Sequence, residues 1–113
     1  MKKVSELEGI ELDWAVAKCE KEYVVFNNRQ LRFPPGQFVD EEIYSPSTNW
    51  AQGGPIIERE RIVIEPYNKD EWTATYKCPD ACYDGPTPLI AAMRCYATFI
   101  LGSETEIPEE LAK

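Results

Sequence analysis

Apolar residues return at Leu12, Ala15, Val16 and Cys19, the i, i+3, i+4 and i+7 positions of one helical face, while Glu11, Asp13, Lys18 and Glu20 take the other faces. The pattern predicts a helix over about residues 10–20. Its early acids and its late Lys18 and Lys21 suit the helix dipole. Trp14 falls off the apolar stripe, where it closes the edge of the core or lines a partner surface, the core edge being the better reading. From Glu22 the pattern changes to Tyr23-Val24-Val25-Phe26 and Gln30-Leu31-Arg32-Phe33 around Asn27-Asn28. Asparagine tolerates the left-handed backbone of a tight turn, so a hairpin is expected, ended by Pro34-Pro35-Gly36. Residues 37–48 read as a loop anchored by Phe38, Ile43 and Tyr44.

Residues 45–60 concentrate more signals than any other stretch. Ser45-Pro46-Ser47-Thr48-Asn49 offers caps and Asx-type turns ahead of Trp50. Gly53-Gly54-Pro55 reads as a flexible pair followed by a proline at the first helical position, predicting a short helix over residues 55–59. Arg61–Glu65 and Trp72–Tyr76 alternate as half-buried antiparallel strands should, with residues 66–70 as their turn. Residues 78–85 read as a loop. Thr87 as N-cap and Pro88 at N1 then launch the longest helix. Its stripe is Leu89, Met93, Tyr96 and Ile100, widened by Ile90, Ala97 and Leu101, and Gly102 stops it. Residues 1–9 form a polar lead-in from which Leu7 can fold back. Residues 103–113 form an acidic tail with one short turn at Pro108–Leu111. This order of elements predicts one α+β domain over residues 1–113: a small, mostly antiparallel sheet of about four strands with two main helices packed on one face.

Composition narrows the function. The 113 residues are 43% hydrophobic and 12% aromatic, which belongs to chains that bury a core. A net charge of −8, from 20 acids and 12 bases, argues against direct nucleic-acid binding, which needs a concentrated basic surface. The acids are spread along the chain, as on a solubilising surface. Neither a signal peptide nor a membrane span is apparent, so a cytoplasmic protein is expected, with its four cysteines as reduced thiols. Histidine is absent, which removes the commonest general base and the commonest neutral metal ligand. Cys78 and Cys82 are spaced like half a zinc knuckle. Cys19 and Cys95, however, lie on apolar helix stripes, where a thiol acts as a small hydrophobe. No catalysis, metal or cofactor is expected.

Three segments carry a resemblance. They are Leu12-Asp13-Trp14-Ala15-Val16-Ala17-Lys18-Cys19, the run from Trp50 to Arg59, and the run from Gly85 to Cys95. Together, in this order and over residues 5 to about 111, they resemble the NinX-like family of small phage and prophage proteins. The resemblance implies a phage accessory gene product expressed in the bacterial cytosol, and it implies no catalytic residues. Residues 22–43 and 66–84 carry no such segment and are the positions that would set what individual members recognise.

The candidate binding chemistry lies in the central stretch. Backbone amides at Gly53-Gly54 leading into a helix form an anion cradle, because glycine lets the chain approach a phosphate closely. Trp50 offers a stacking surface, Asn49 and Gln52 can read a base edge, and Arg59, Arg61 or Arg94 can neutralise phosphate. It is not a P-loop, since no Gly-Lys-Ser/Thr follows. The plainer reading is a packed turn with Trp50 as a core anchor. The functional expectation is a non-catalytic binder of a small phosphorylated ligand, of the kind phages use as sponges for nucleotide immune signals; this is an analogy of role. The alternative is an acidic interaction module, resting on residues 103–113 and Asp40–Glu42, that inhibits or adapts a host or phage protein. A domain of this size often builds its pocket between subunits, so a homodimer is expected.

Overall fold

The longest helix, α3 (Pro88–Leu101), is the element on which the rest assembles, buried from Ala91 to Thr98 except at Arg94. Ala91, Ala92 and Ala97 let its neighbours come close. Helix α1 (Gly9–Glu20) packs on it, as does an antiparallel sheet of β4 (Val63–Pro66), β5 (Trp72–Tyr76) and β6 (Cys78–Gly85), in that order. Ile64, Ala74 and Tyr83 share a register row and join α3 in the core, so alternate positions such as Val63, Thr75 and Cys82 take the other face. Val4, Leu7, Leu12 and Val16 complete this main apolar cluster. The computed structural model describes residues 1–27, 29–32 and 43–112. Asn28 of the expected hairpin turn, the Pro34-Pro35-Gly36 stop, the Phe38 anchor and the Asp40–Glu42 acids lie outside the described residues, as does the side chain of Cys78.

The fold is α+β, as the pattern predicts, but its strands form three small sheets instead of one of about four strands. The hairpin of β2 (Val25–Asn27) and β3 (Gln30–Arg32) stays apart from β4–β6. Its Leu31 joins Ala17, Tyr44 and Leu111 in a second apolar cluster, with Val24 and Phe26 packed against it, so its burial lies away from the larger sheet. The expected loop at residues 78–85 is strand β6. Cys78-Pro79-Asp80-Ala81 carries little strand signal; pairing with β5, from Trp72↔Gly85 to Thr75↔Cys82, overrides local preference.

The acidic tail is docked. β7 (Glu104–Thr105) pairs antiparallel with β1 (Lys2–Lys3), and helix α4 (Glu109–Ala112) buries Leu111 in the second cluster. Leu111 N–H donates to the Pro108 carbonyl at 3.0 Å, the short turn expected there.

Helix α2 departs furthest from expectation. It runs Trp50–Glu60, with Pro55 inside it and not at its start. Asn49 supplies the cap, its Oδ1 accepting the Ala51 amide at 2.9 Å. A proline disfavours α conformation in its predecessor by clashing with that residue's Cβ and amide. Gly54 has no Cβ, which removes one of these clashes, and α2 continues past Pro55 although the proline has no N–H for the Ala51 carbonyl. Gly53-Gly54-Pro55 is thus helix interior and not a hinge.

Candidate functional site

The segment ahead of α2 is fastened at several points. Thr48 and Asn49 amides both donate to the Ser45 carbonyl, at 3.1 and 2.8 Å. Gln52 reaches back from the helix, accepting the Ser45 amide at 2.6 Å and donating to the Ile43 carbonyl at 2.7 Å. Thr87 caps α3 in the same manner as Asn49 caps α2, its Oγ1 accepting the Ile90 amide at 3.1 Å. Gly53 brings the two helices together. A Cβ there would lie 2.4 Å from the Pro46 carbonyl oxygen and 2.6 Å from Leu89 Cδ1.

This contact places the two helix N-termini on one cleft of about 170 Å³, lined by Ser47, Thr48, Trp50, Thr87, Leu89 and Ile90. Its lining offers three hydroxyls and an indole, and none of the six side chains is charged. Trp50 is 55% exposed, so it is not a core anchor. First-turn amides have no partner within their own helix, and the two caps take only those of Ala51 and Ile90. The Trp50 and Leu89 amides remain, each at the positive end of a helix dipole. Ser47 is 1% exposed, and its hydroxyl makes no hydrogen bond.

Beneath the cleft lies Asp13, which its helical position had put on a polar face and which is 6% exposed. Its Oδ1 accepts the Ser47 amide at 2.8 Å. Burial pushes its pKa up from 3.8 to about 6, against the opposing pull of Ser47. The Ser47 hydroxyl is near enough to favour the charged carboxylate, but not in hydrogen-bonding geometry.

The eight residues that the sequence marks are therefore divided. Trp50 lines the cleft and Gly53 sets the spacing of its walls, while Asn49 caps α2 and Gln52 ties the helix back to Ser45 and Ile43, neither of them lining the cleft. Gly54 sits beside the indole, where a Cβ would be 3.7 Å from Trp50 Cε3. The arginines are elsewhere. Arg59 and Arg61 lie at the other end of α2, roughly 13 Å or more along the axis from Trp50. Arg59 forks onto Glu20 at 2.9 and 2.6 Å, and its Nε donates to Glu60 at 2.7 Å. Arg94 donates to the carbonyls of Leu7 and Asp84 at 2.8 and 3.0 Å, bracing the lead-in and β6 against α3.

Arg59 belongs to a network the sequence does not announce. Tyr96 donates to Glu20 and Tyr76 to Glu60, so the ends of α1 and α2 are joined to α3 and β5. Burial opposes the charge on Glu20, but hydrogen bonds from Arg59 and Tyr96 outweigh it and hold its pKa below the ordinary value. Glu60 is lowered likewise, first by Tyr76 and then by Arg59. A broader hollow of about 400 Å³ lies among Lys2, Lys3, Glu6, Leu7, Glu8 and Glu11. Lys2 pairs with Glu11 at 2.8 Å and Lys3 with Glu6 at 3.7 Å, and Glu8 lies 3.9 Å from Arg94. Cys19 is half-buried, Cys95 buried and Cys82 exposed, and burial pushes the first two thiols up to about 12. Among the described residues no helix is long and apolar enough to cross a membrane.

These features define a small α+β protein with an uncharged cleft at the meeting of two helix N-termini. The chain belongs to the family described as Bacteriophage P22, NinX, whose family model matches residues 3–99, and this places it among phage proteins. The match takes in all three segments that carried the resemblance, and with them both walls of the cleft. A search of curated proteins finds no match.

Proposed function

We propose that this phage protein is a non-catalytic binder of a small ligand that joins a planar ring to an anionic group, held between the N-termini of α2 and α3. The ring stacks on Trp50, a contact worth about 1–3 kcal/mol for a nucleobase on an aromatic side chain. The anionic group takes the amides of Trp50 and Leu89 and the hydroxyls of Thr48 and Thr87. The observation that carries this reading is an indole left 55% exposed beside two helix N-termini. A phosphorylated ligand fits it, and a nucleotide immune signal of the host, met in the cytoplasm, fits a phage accessory protein with an anti-defence role; that last step is an analogy. The cleft, about 170 Å³, is smaller than the about 300–1,000 Å³ of typical ligand sites. A homodimer that lays a second copy over Trp50 would complete it.

The test is native mass spectrometry of protein purified from the bacterial cytosol, run gently and then under denaturing conditions, on wild type and on Trp50→Ala. A retained small molecule, released on denaturation and lost in folded Trp50→Ala, supports the reading. A ligand-free wild type, or one whose ligand survives in Trp50→Ala, contradicts it.

A further inference from the structure

We infer that Asp13 and Arg29 form a second binding site, for a small zwitterion of the amino-acid kind, with its ammonium group on Asp13 and its carboxylate on Arg29. The site is a cavity of about 110 Å³ between α1, the β2–β3 hairpin and residues 43–45. It shares no lining residue with the cleft between α2 and α3 and does not depend on it. Ile10, Leu31, Ile43 and Tyr44 supply its apolar wall. Two parts of that wall are tied together, since the Tyr44 amide donates to the Leu31 carbonyl at 2.7 Å.

The observation behind the site is a buried carboxylate without a counter-charge. Asp13 is 6% exposed, and a carboxylate at that depth is ordinarily paired with a cation. Here its one hydrogen bond among the described residues is the Ser47 amide on Oδ1, a neutral donor, and no cation lies close enough to neutralise it. That amide and the neighbouring Ser47 hydroxyl do not offset burial, which raises the pKa to about 6 and leaves the group charged at pH 7. Arg29 is the complement. It stands on the hairpin turn at φ 62°, is exposed, and makes no hydrogen bond or ion pair among the described residues. Asp13 and Arg29 are the two charged residues of the lining, opposite in sign and not paired with each other. A simple amine would satisfy the acid but meet the like charge of the arginine, and a simple carboxylate the reverse. A molecule carrying both charges satisfies both, and the volume, well below the about 300–1,000 Å³ of sites for larger ligands, limits it to a few heavy atoms.

The experiment follows the backbone amide signals of Ile10, Asp13, Arg29, Leu31 and Tyr44 in ¹⁵N-labelled full-length protein at pH 7. The probes are glycine, β-alanine and γ-aminobutyrate, which differ in the distance between their charges, with propylamine and butyrate as single-charge controls. At least one zwitterion is expected to shift these signals saturably and to bind at least about tenfold more tightly than either control. Asp13→Asn, which keeps an acceptor for the Ser47 amide, and Arg29→Gln, at an exposed position, should each weaken that zwitterion by about tenfold while the rest of the spectrum stays that of the folded protein. Propylamine binding as tightly as the zwitterion, or undiminished zwitterion binding in either folded variant, overturns the two-charge assignment. If no probe moves these signals, or the shifts gather at Trp50 and Leu89 instead, the second site is overturned and the cleft reading is untouched.

Discussion

Gly53 and Leu89 approach so closely that a methyl group on the glycine would sit 2.6 Å from Leu89 Cδ1 and 2.4 Å from the Pro46 carbonyl oxygen. Helices α2 and α3 can meet at their N-terminal ends only because this position carries hydrogen. The cleft exists because of that meeting.

Gly53→Ala should therefore lower stability by about 1–3 kcal/mol, since the Pro46 carbonyl is backbone and cannot swing aside. Gly54→Ala places its methyl 3.7 Å from Trp50 Cε3, an ordinary contact, and should cost less. Urea denaturation of both variants checks the order; an equal loss in the two would contradict the close-approach account.

Asp13 makes stability depend on pH in an unusual direction. A carboxyl whose pKa is raised by folding binds its proton more tightly in the folded chain. Its contribution is full below the unfolded value of 3.8 and is lost as pH rises through about 6. Asp13→Asn keeps an acceptor for the Ser47 amide without the titration. Relative to wild type, its stability should rise by about 2–3 kcal/mol between about pH 4 and pH 7. A difference that stays constant over that range would show that Asp13 titrates normally.

Arg59 is structural on this account. Arg59→Ala should cost about 1–2 kcal/mol, held down by the exposure of its side chain, and should leave ligand affinity unchanged. Reduced affinity in a folded Arg59→Ala protein would restore the arginine to the site.

The docked tail changes how the acidic-module alternative is tested. Removing residues 103–113 takes away the partner of β1 and the buried Leu111, so truncation should destabilise whatever the function, and Leu111→Ala alone should cost about 2 kcal/mol. Replacing Glu106, Glu109 and Glu110 by Gln tests the charge by itself. Loss of a partner effect in that stable triple variant would favour the acidic surface over the cleft.

Much of this fold is written in local signals. The α1 and α3 stripes, the Thr87 cap with Pro88, and the strand pair around residues 66–70 all follow from periodicity and capping. What local signals miss is set by tertiary contact. β6 lacks strand character and is made by pairing with β5. The start of α2 is read five residues late because a proline after two glycines usually marks a helix start, whereas here the helix runs on through them. Of the site, Trp50 and both caps were visible, but not that the caps face one cleft, since 38 positions separate Asn49 from Thr87 and only the Gly53–Leu89 contact unites them. The charge of the arginines is legible in the sequence; their distance from the cleft, and the carboxylate and carbonyl partners of Arg59 and Arg94, are not. Asp13 shows the reverse: a residue assigned to a solvated face is buried because the Ser47 amide needs an acceptor there.

The most direct test of the cleft is the pattern of backbone amide shifts in ¹⁵N-labelled protein when the small-molecule fraction of bacterial cytosol is added. Changes should concentrate at Ser47 to Ala51 and at Thr87 to Ile90, with the Trp50 and Leu89 amides moving most. Shifts centred on Arg59 and Arg94, or none at either helix N-terminus, would contradict it.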